Sequence, residues 1–221
     1  MHLHLNPLGG LAGDMFCAAL LDAHPNLLPL IRQAVAAVPM PRDVRIDLVP
    51  ADGLLSGKRF RVSLDGRTAE HRLHTPFLEI RGLLADARLE PGVRDRTLSI
   101  FALLAAAEAE VHGTNPEAVV FHEVGAWDSI ADILSAAVLL ESLGVASVSC
   151  APLPLGSGRV RSAHGLLPVP APATALLLKD LPVSYDGIEG ERVTPTGAAI
   201  LKSLGPQPTV PAGARRCPRS R

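Results

Sequence analysis

Aromatic side chains are scarce: Phe, Trp and Tyr make up 3% of the 221 residues, with a single Trp and a single Tyr. That scarcity removes the stacking platforms on which single-stranded nucleic acids bind. It also leaves the core to be built from Ala, Leu and Val. An excess of charge is lacking too, since 21 Lys and Arg stand against 22 Asp and Glu for a net charge of −1. No basic stripe argues for DNA or RNA as the partner. The three cysteines, Cys17, Cys150 and Cys217, are far apart and form no CxxC pair, which speaks against a zinc knuckle or a disulfide framework. No apolar run reaches the roughly 18–20 residues of a spanning helix, so no membrane partner is expected. MHLHLNPLGG lacks a basic stretch followed by an apolar one; the expectation is no signal peptide and a cytoplasmic location.

Apolar residues supply 48% of the chain and charged residues 19%, the balance of a globular protein. The length allows one large domain or two small ones. Twenty prolines and 19 glycines announce many turns. Strands are expected over 2–6, 44–49, 58–64, 119–123, 147–152 and 183–185. Helices are expected over 14–23, 26–38, 76–87, 91–112, 126–143 and 173–178. In the longest, Leu98, Phe101, Ala102, Ala105, Ala109 and His112 mark an i, i+3, i+4 stripe, and Gly113 supplies a stop. Strands and helices alternate, which predicts an α/β fold with a mixed sheet and flanking helices, an α+β arrangement remaining open. Beyond Leu204 the chain loses periodicity, and PQPTVPAGARRCPRSR is expected to be a disordered tail, giving a folded region 1–204 and a tail 205–221.

The densest chemistry lies in FHEVGAWDSIADIL, residues 121–134. His122, Glu123, Asp128 and Asp132 crowd a short strand, a Gly turn and the start of a helix that is otherwise apolar nearly all round, hence central. Asp128 and Asp132 are four apart, one turn above each other on one face. Like charges so placed repel by roughly 0.2–0.5 kcal/mol on a solvated face, and a cation between them would remove that cost. The plainer alternative is that Asp128 caps the helix and Asp132 faces water. Asp14, at the start of an earlier helix, is either a cap or a metal contact. His71 and His74 could share a metal if their segment turns, or could be solvated. His112 reads as a helix-end histidine favoured by the dipole, and His164 as a turn residue.

Three turns are rich in Gly or Thr. Gly9, Gly10 and Gly13 precede a helix, where free N–H groups can hold an anion; the spacing is neither GxGxxG nor a P-loop, and a plain tight turn is the alternative. Gly156, Ser157 and Gly158 stand beside Arg159 and Arg161, a plausible phosphate cradle. ERVTPTGAAI offers Thr194, Thr196 and Gly197 at a strand-to-helix junction.

These segments carry a resemblance. GGLAGDMFCAALLDA (9–23), GLLSGKRFRV (53–62), HRLHTPFLEIRGLL (71–84), LAAAEAEVHG (104–113), FHEVGAWDSIADILSAAVLLESLG (121–144), PLPLGSGRVRSAHGLLPVPAPAT (152–174) and VTPTGAAIL (193–201) run in order as in the LarC nickel insertion protein family. The resemblance implies a chelatase, a lyase by class, that inserts nickel into pyridinium-3,5-bisthiocarboxylic acid mononucleotide. CTP would be consumed with Mn or Mg, releasing CMP and pyrophosphate, and the product would be a nickel-pincer nucleotide. It makes His122 and Glu123 candidate bases, and Asp128, Asp132, Asp14, His71 and His74 candidate metal ligands. The three turns become candidate nucleotide contacts through Gly9, Gly10, Gly13, Gly156, Ser157, Gly158, Arg159, Thr194, Thr196 and Gly197.

The chain departs from the family pattern in three ways. A His-rich run near 66–75 is reduced to His71 and His74. Asn6 stands where Asp is common. The C-terminal domain that the family associates with CTP is not found after residue 204, so the expectation is either a separate C-terminal polypeptide as partner or a truncated or frameshifted product; a homo-oligomer is a further expected assembly. Two other readings are a non-catalytic nickel- or nucleotide-binding subunit and a metal-dependent phosphohydrolase.

Overall fold

The computed structural model describes residues 1–40, 44–52, 56–64, 67–68, 74–122 and 126–208. The elements in chain order are β1 (His2–Leu5), α1 (Gly13–Ala23), α2 (Leu28–Ala37), β2 (Val44–Pro50), β3 (Lys58–Leu64), β4 (Arg67–Thr68) and β5 (Thr75–Pro76). Then follow α3 (Phe77–Asp86), α4 (Pro91–His112), β6 (Val120–Phe121), α5 (Trp127–Ser142), β7 (Ser147–Cys150), β8 (Leu153–Pro154) and β9 (Gly156–Ser157). The remainder are β10 (Arg159–Ser162), β11 (Gly165–Pro168), α6 (Pro172–Leu177), β12 (Val183–Ser184), β13 (Gly190–Glu191), α7 (Pro195–Ser203) and β14 (Gln207–Pro208). The fold is mixed α/β, as the alternation predicts.

The strands are shared among several small sheets. β7 is the middle of a parallel sheet, with β1 on one side (His2 opposite Ser147, Leu5 opposite Cys150) and β14 on the other (Gln207 opposite Ser149). Parallel neighbours need crossovers, and the helices supply them. β2 and β3 form an antiparallel hairpin from Val44 opposite Leu64 to Pro50 opposite Lys58, with β4 on its edge. β10 and β11 form a second hairpin, and β5 pairs with β6 so that Thr75 lies opposite Phe121.

α5 is the hub. Its residues from Ile133 to Leu140 are all buried, because a helix apolar on every side has no face to give to water. It packs against α1, α2, α4, α7 and β3. Full burial of each such Leu or Ile contributes roughly 1.5–3 kcal/mol. α4 runs alongside and ends at Gly113, whose φ of 62° and N–H to the Ala109 carbonyl make a left-handed cap. The Phe121 ring stacks edge-on to Phe77 and tilted to Phe101, each at 6.2 Å, tying β6 to α3 and α4.

Helix and strand ends shift from expectation by a residue or two. The expected helix 26–38 opens as a 3-10 turn, Pro25–Leu27, before α2 begins. Pro29 falls in the first turn of α2, where its missing N–H has no partner to lose. The expected strand 119–123 is confined to Val120–Phe121 among the described residues. Gln207 and Pro208, assigned to the tail, are a short strand against β7; residues 209–221 lie outside the described residues. No helix among the described residues is long and apolar enough to cross a membrane.

Candidate metal and nucleotide site

Two turns from opposite ends of the chain lock together. After β1, Leu11 donates its N–H to the Arg192 carbonyl at 2.8 Å, and Thr194 donates to the Leu11 carbonyl at 3.0 Å. The Arg192 side chain is itself anchored, Nε donating to Asp186 Oδ2 at 3.0 Å and Nη2 to the Leu8 carbonyl at 3.3 Å. Gly10, at φ 112°, presses against the Arg192 carbonyl, and Gly197 against that of Leu11. These glycines are therefore required by chain-to-chain approach, since any Cβ would enter a backbone oxygen. Thr194 caps α7, its Oγ1 accepting from Gly197 N–H at 3.3 Å and hydrogen-bonded to Thr196 Oγ1 at 2.9 Å. Gly9 and Gly10 also line a cleft of about 470 Å³ between the end of β1 and α1, with His4, Asn6 and Met15. It lies at the C-terminal end of a parallel strand, where open α/β sheets bind ligands.

At the head of α1, Asp132 feels the charges of both Asp14 and Asp128. A Cβ on Gly13 would lie 2.9 Å from Oδ2 of Asp132, so glycine is what lets the N-terminus of α1 sit on that side chain. Asp132 Oδ1 is sealed from solvent and has no hydrogen-bond partner. Burial pushes the Asp132 carboxyl well above its usual range, the charges of Asp14 and Asp128 push it further, and the Asp14 N–H partly offsets them. Asp14 Oδ1 accepts only from the adjacent Met15 N–H at 2.8 Å, and Asp128 Oδ1 from Ser129 N–H at 2.8 Å, among the bonds described. Asp128 does not cap α5; the N-cap position is Ala126, whose side chain cannot bond. Cys17 lies beneath, its thiol donating to the Asp132 carbonyl at 3.4 Å. Its proton is held by burial first, then by Asp132 and Asp14. Beyond Asp14 opens a groove of about 390 Å³ edged by Lys58, Arg59 and Arg61 of β3. The sequence reading did not single out these cations, because α1 meets β3 only through the tertiary fold.

The histidines form a second group. His122 touches His74 and His164, edge to face, each with ring centres 4.6 Å apart. His164 touches His112 at 4.9 Å. His74 takes the left-handed backbone at φ 73°, a region that His enters more readily than most residues. His112 Nε2 lies 3.5 Å from Glu108 Oε2. Spacing grouped His122 with Asp128 and Asp132; the structure instead puts His122 in a histidine row and the two aspartates beside Asp14. The Gly156 turn is largely spent on structure. β9 pairs with β13, Gly156 packs on the Gly190 carbonyl, and exposed Arg159 sits opposite Pro168. Glu123 and His71 lie outside the described residues. Among the described residues no three His, Cys, Asp or Glu groups are arranged to hold a metal ion as they stand.

Fold and donor sets define a mixed α/β protein with separate clusters of hard carboxylate oxygens and borderline imidazole nitrogens. The nickel insertion protein family matches residues 3–214, and the chain belongs to that family. It is 46% identical over 203 residues to the "Putative nickel insertion protein" of Myxococcus xanthus, covering 91% of this chain and 51% of that one. Proteins of the same name from Geobacter metallireducens and Pelobacter propionicus are 45% and 47% identical, over the same shares. The chain thus spans about half the length of these relatives. No solved structure matches it significantly.

Proposed function

We propose that this chain is the nickel-handling part of a chelatase, a lyase that inserts nickel into pyridinium-3,5-bisthiocarboxylic acid mononucleotide with consumption of CTP. The observation that carries the reading is the convergence of Asp14, Asp128 and Asp132 at the N-terminus of α1, with Asp132 Oδ1 buried and unpartnered. Carboxylate oxygens are the donors that a hard divalent ion takes; the three side chains make no ligand set as they stand, so Mn or Mg accompanying CTP would have to draw them together around the orphaned Asp132 oxygen. Bound there, such an ion would neutralise phosphate charge. Lys58, Arg59 and Arg61 bring cations to the neighbouring groove, where they favour the polyphosphate. Gly9 and Gly10 edge the cleft beside β1, which takes the mononucleotide.

Nickel is the substrate ion. Its insertion removes a proton from the ring carbon, and His122, half-buried beside two other imidazoles, is the base that accepts it. The part of the relatives' length that this chain does not span is expected to complete the catalyst.

The test is reconstitution. The 221-residue protein is mixed with nickel, CTP, Mn, the mononucleotide and the C-terminal half of a relative, and the product is weighed by mass spectrometry. A nickel-containing nucleotide that depends on CTP and falls about tenfold or more in Asp128→Ala/Asp132→Ala is expected. Equal yield from that variant would sink the assignment. Turnover of a simple phosphoester without CTP would favour a phosphohydrolase instead.

A further inference from the structure

Half of the eight histidines of the chain meet in one place, and they come from four separate segments. His74 precedes β5, His112 ends α4, His122 follows β6, and His164 lies in the β10–β11 turn. Each ring touches the next in the order His74, His122, His164, His112. Rings that meet edge to face pack favourably, and neutral imidazoles brought together are also transition-metal ligands.

We propose that His74, His122, His164 and His112 form a transit row for a borderline transition-metal ion, which adjacent imidazoles hold in turn between the exposed ends and half-buried His122. On the nickel-insertion reading, on which the identity of the cargo rests, that ion is nickel. Imidazole nitrogens select nickel, zinc or copper over magnesium or manganese, which separates this row from the all-oxygen cluster of Asp14, Asp128 and Asp132.

Two further observations support it. Glu108 faces Nε2 of His112 at 3.5 Å, the carboxylate–imidazole pairing that orients a metal-ligating ring and leaves Nδ1 for the ion. His112, His122, His164, Glu108 and Ser162 share a cavity of about 240 Å³ whose other wall is apolar, including Phe121 and Leu167. That volume accommodates an ion with several waters.

The experiment uses untagged, EDTA-treated 221-residue protein. Nickel chloride is titrated against a chromophoric chelator, and the nickel X-ray absorption spectrum is recorded for imidazole scattering. Expected is imidazole-ligated nickel in the wild type, with affinity reduced about tenfold or more and the imidazole signal diminished in His112→Ala/His164→Ala. Both side chains are exposed, so the fold tolerates their loss, which an unchanged melting temperature verifies. Asp132→Asn is expected to keep the imidazole signal. Unchanged nickel affinity in the double histidine variant, or nickel bound through oxygen alone, overturns the row. Nickel held by the row here, with no insertion product from the complete reconstituted mixture, would leave the row standing and remove the chelatase reading.

Discussion

Asp132 is the residue at which structure and chemistry pull hardest against each other. Its carboxyl is desolvated, faces two like charges and leaves one oxygen without a partner. In the unfolded chain the same group ionises near 3.9. Its folded-state value is raised, so between the two the unfolded state has released a proton that the folded state still holds. Its contribution therefore favours the metal-free fold at low pH and is lost as pH rises from about 4 through the folded value. Asp132→Asn removes that loss. In EDTA at pH 7 the variant should melt higher than wild type by about 2–4 °C, the shift that ~1 kcal/mol makes at this length. The gap should close below about pH 4, where both side chains are neutral. A wild type that melts higher than the variant at pH 7 in EDTA would remove the desolvation argument. Cys150, which burial pushes up to about 11, has the same sign at alkaline pH: alkylation by iodoacetamide at pH 8–9 should be slow until the protein unfolds.

At the level of elements, the helices were the most legible feature. Pro91 and Gly113 punctuate α4, whose bounds followed from local chemistry; for α7 the strand-to-helix junction and the Thr194 cap were readable, its end was not. Two-residue strands such as β5, β8 and β9 carry no periodicity and could not be read, whereas β6 was read as part of the longer strand 119–123. The carboxylate group was half visible: the spacing of Asp128 and Asp132 put them on one face, but only the packing of α1 on α5 adds Asp14. The histidine row was invisible beyond His74 and His122, because its members meet through β5–β6 pairing and the β10–β11 turn. The glycines were seen as anion turns, and the structure reveals that several are also backbone contacts. That distinction is measurable. Gly197→Ala drives a Cβ into the Leu11 carbonyl and should cost about 1–3 kcal/mol in urea unfolding. Gly82, inside α3, has nothing within 4 Å of a Cβ, so Gly82→Ala should instead stabilise by about 0.4–1 kcal/mol. Equal effects from the two would mean that the junction between the N-terminal and C-terminal turns is not tight.

For the molecule as a whole, the question is whether the described elements unfold together. α5 touches α1, α2, α4, α7 and β3, and one hydrophobic cluster runs from Leu11 to Leu201. The parallel sheet joins residues 2–5, 147–150 and 207–208, so the two ends of the folded region depend on each other. Such wiring leaves no element a private core, and a two-subdomain division should have no thermodynamic signature. Trp127, the sole tryptophan, is buried at the head of α5 and reports the hub, while far-UV circular dichroism reports all helices. Leu134, fully buried in α5, is the place to perturb. Leu134→Ala should cost about 2–5 kcal/mol and move the fluorescence and dichroism transitions by the same denaturant concentration, without a change in slope. If the tryptophan transition shifts while part of the dichroism transition stays, the chain is two units, and the carboxylate and histidine groups need not share one framework. Coincident shifts would mean that nickel bound at the row stabilises the same cooperative unit that holds Asp14, Asp128 and Asp132.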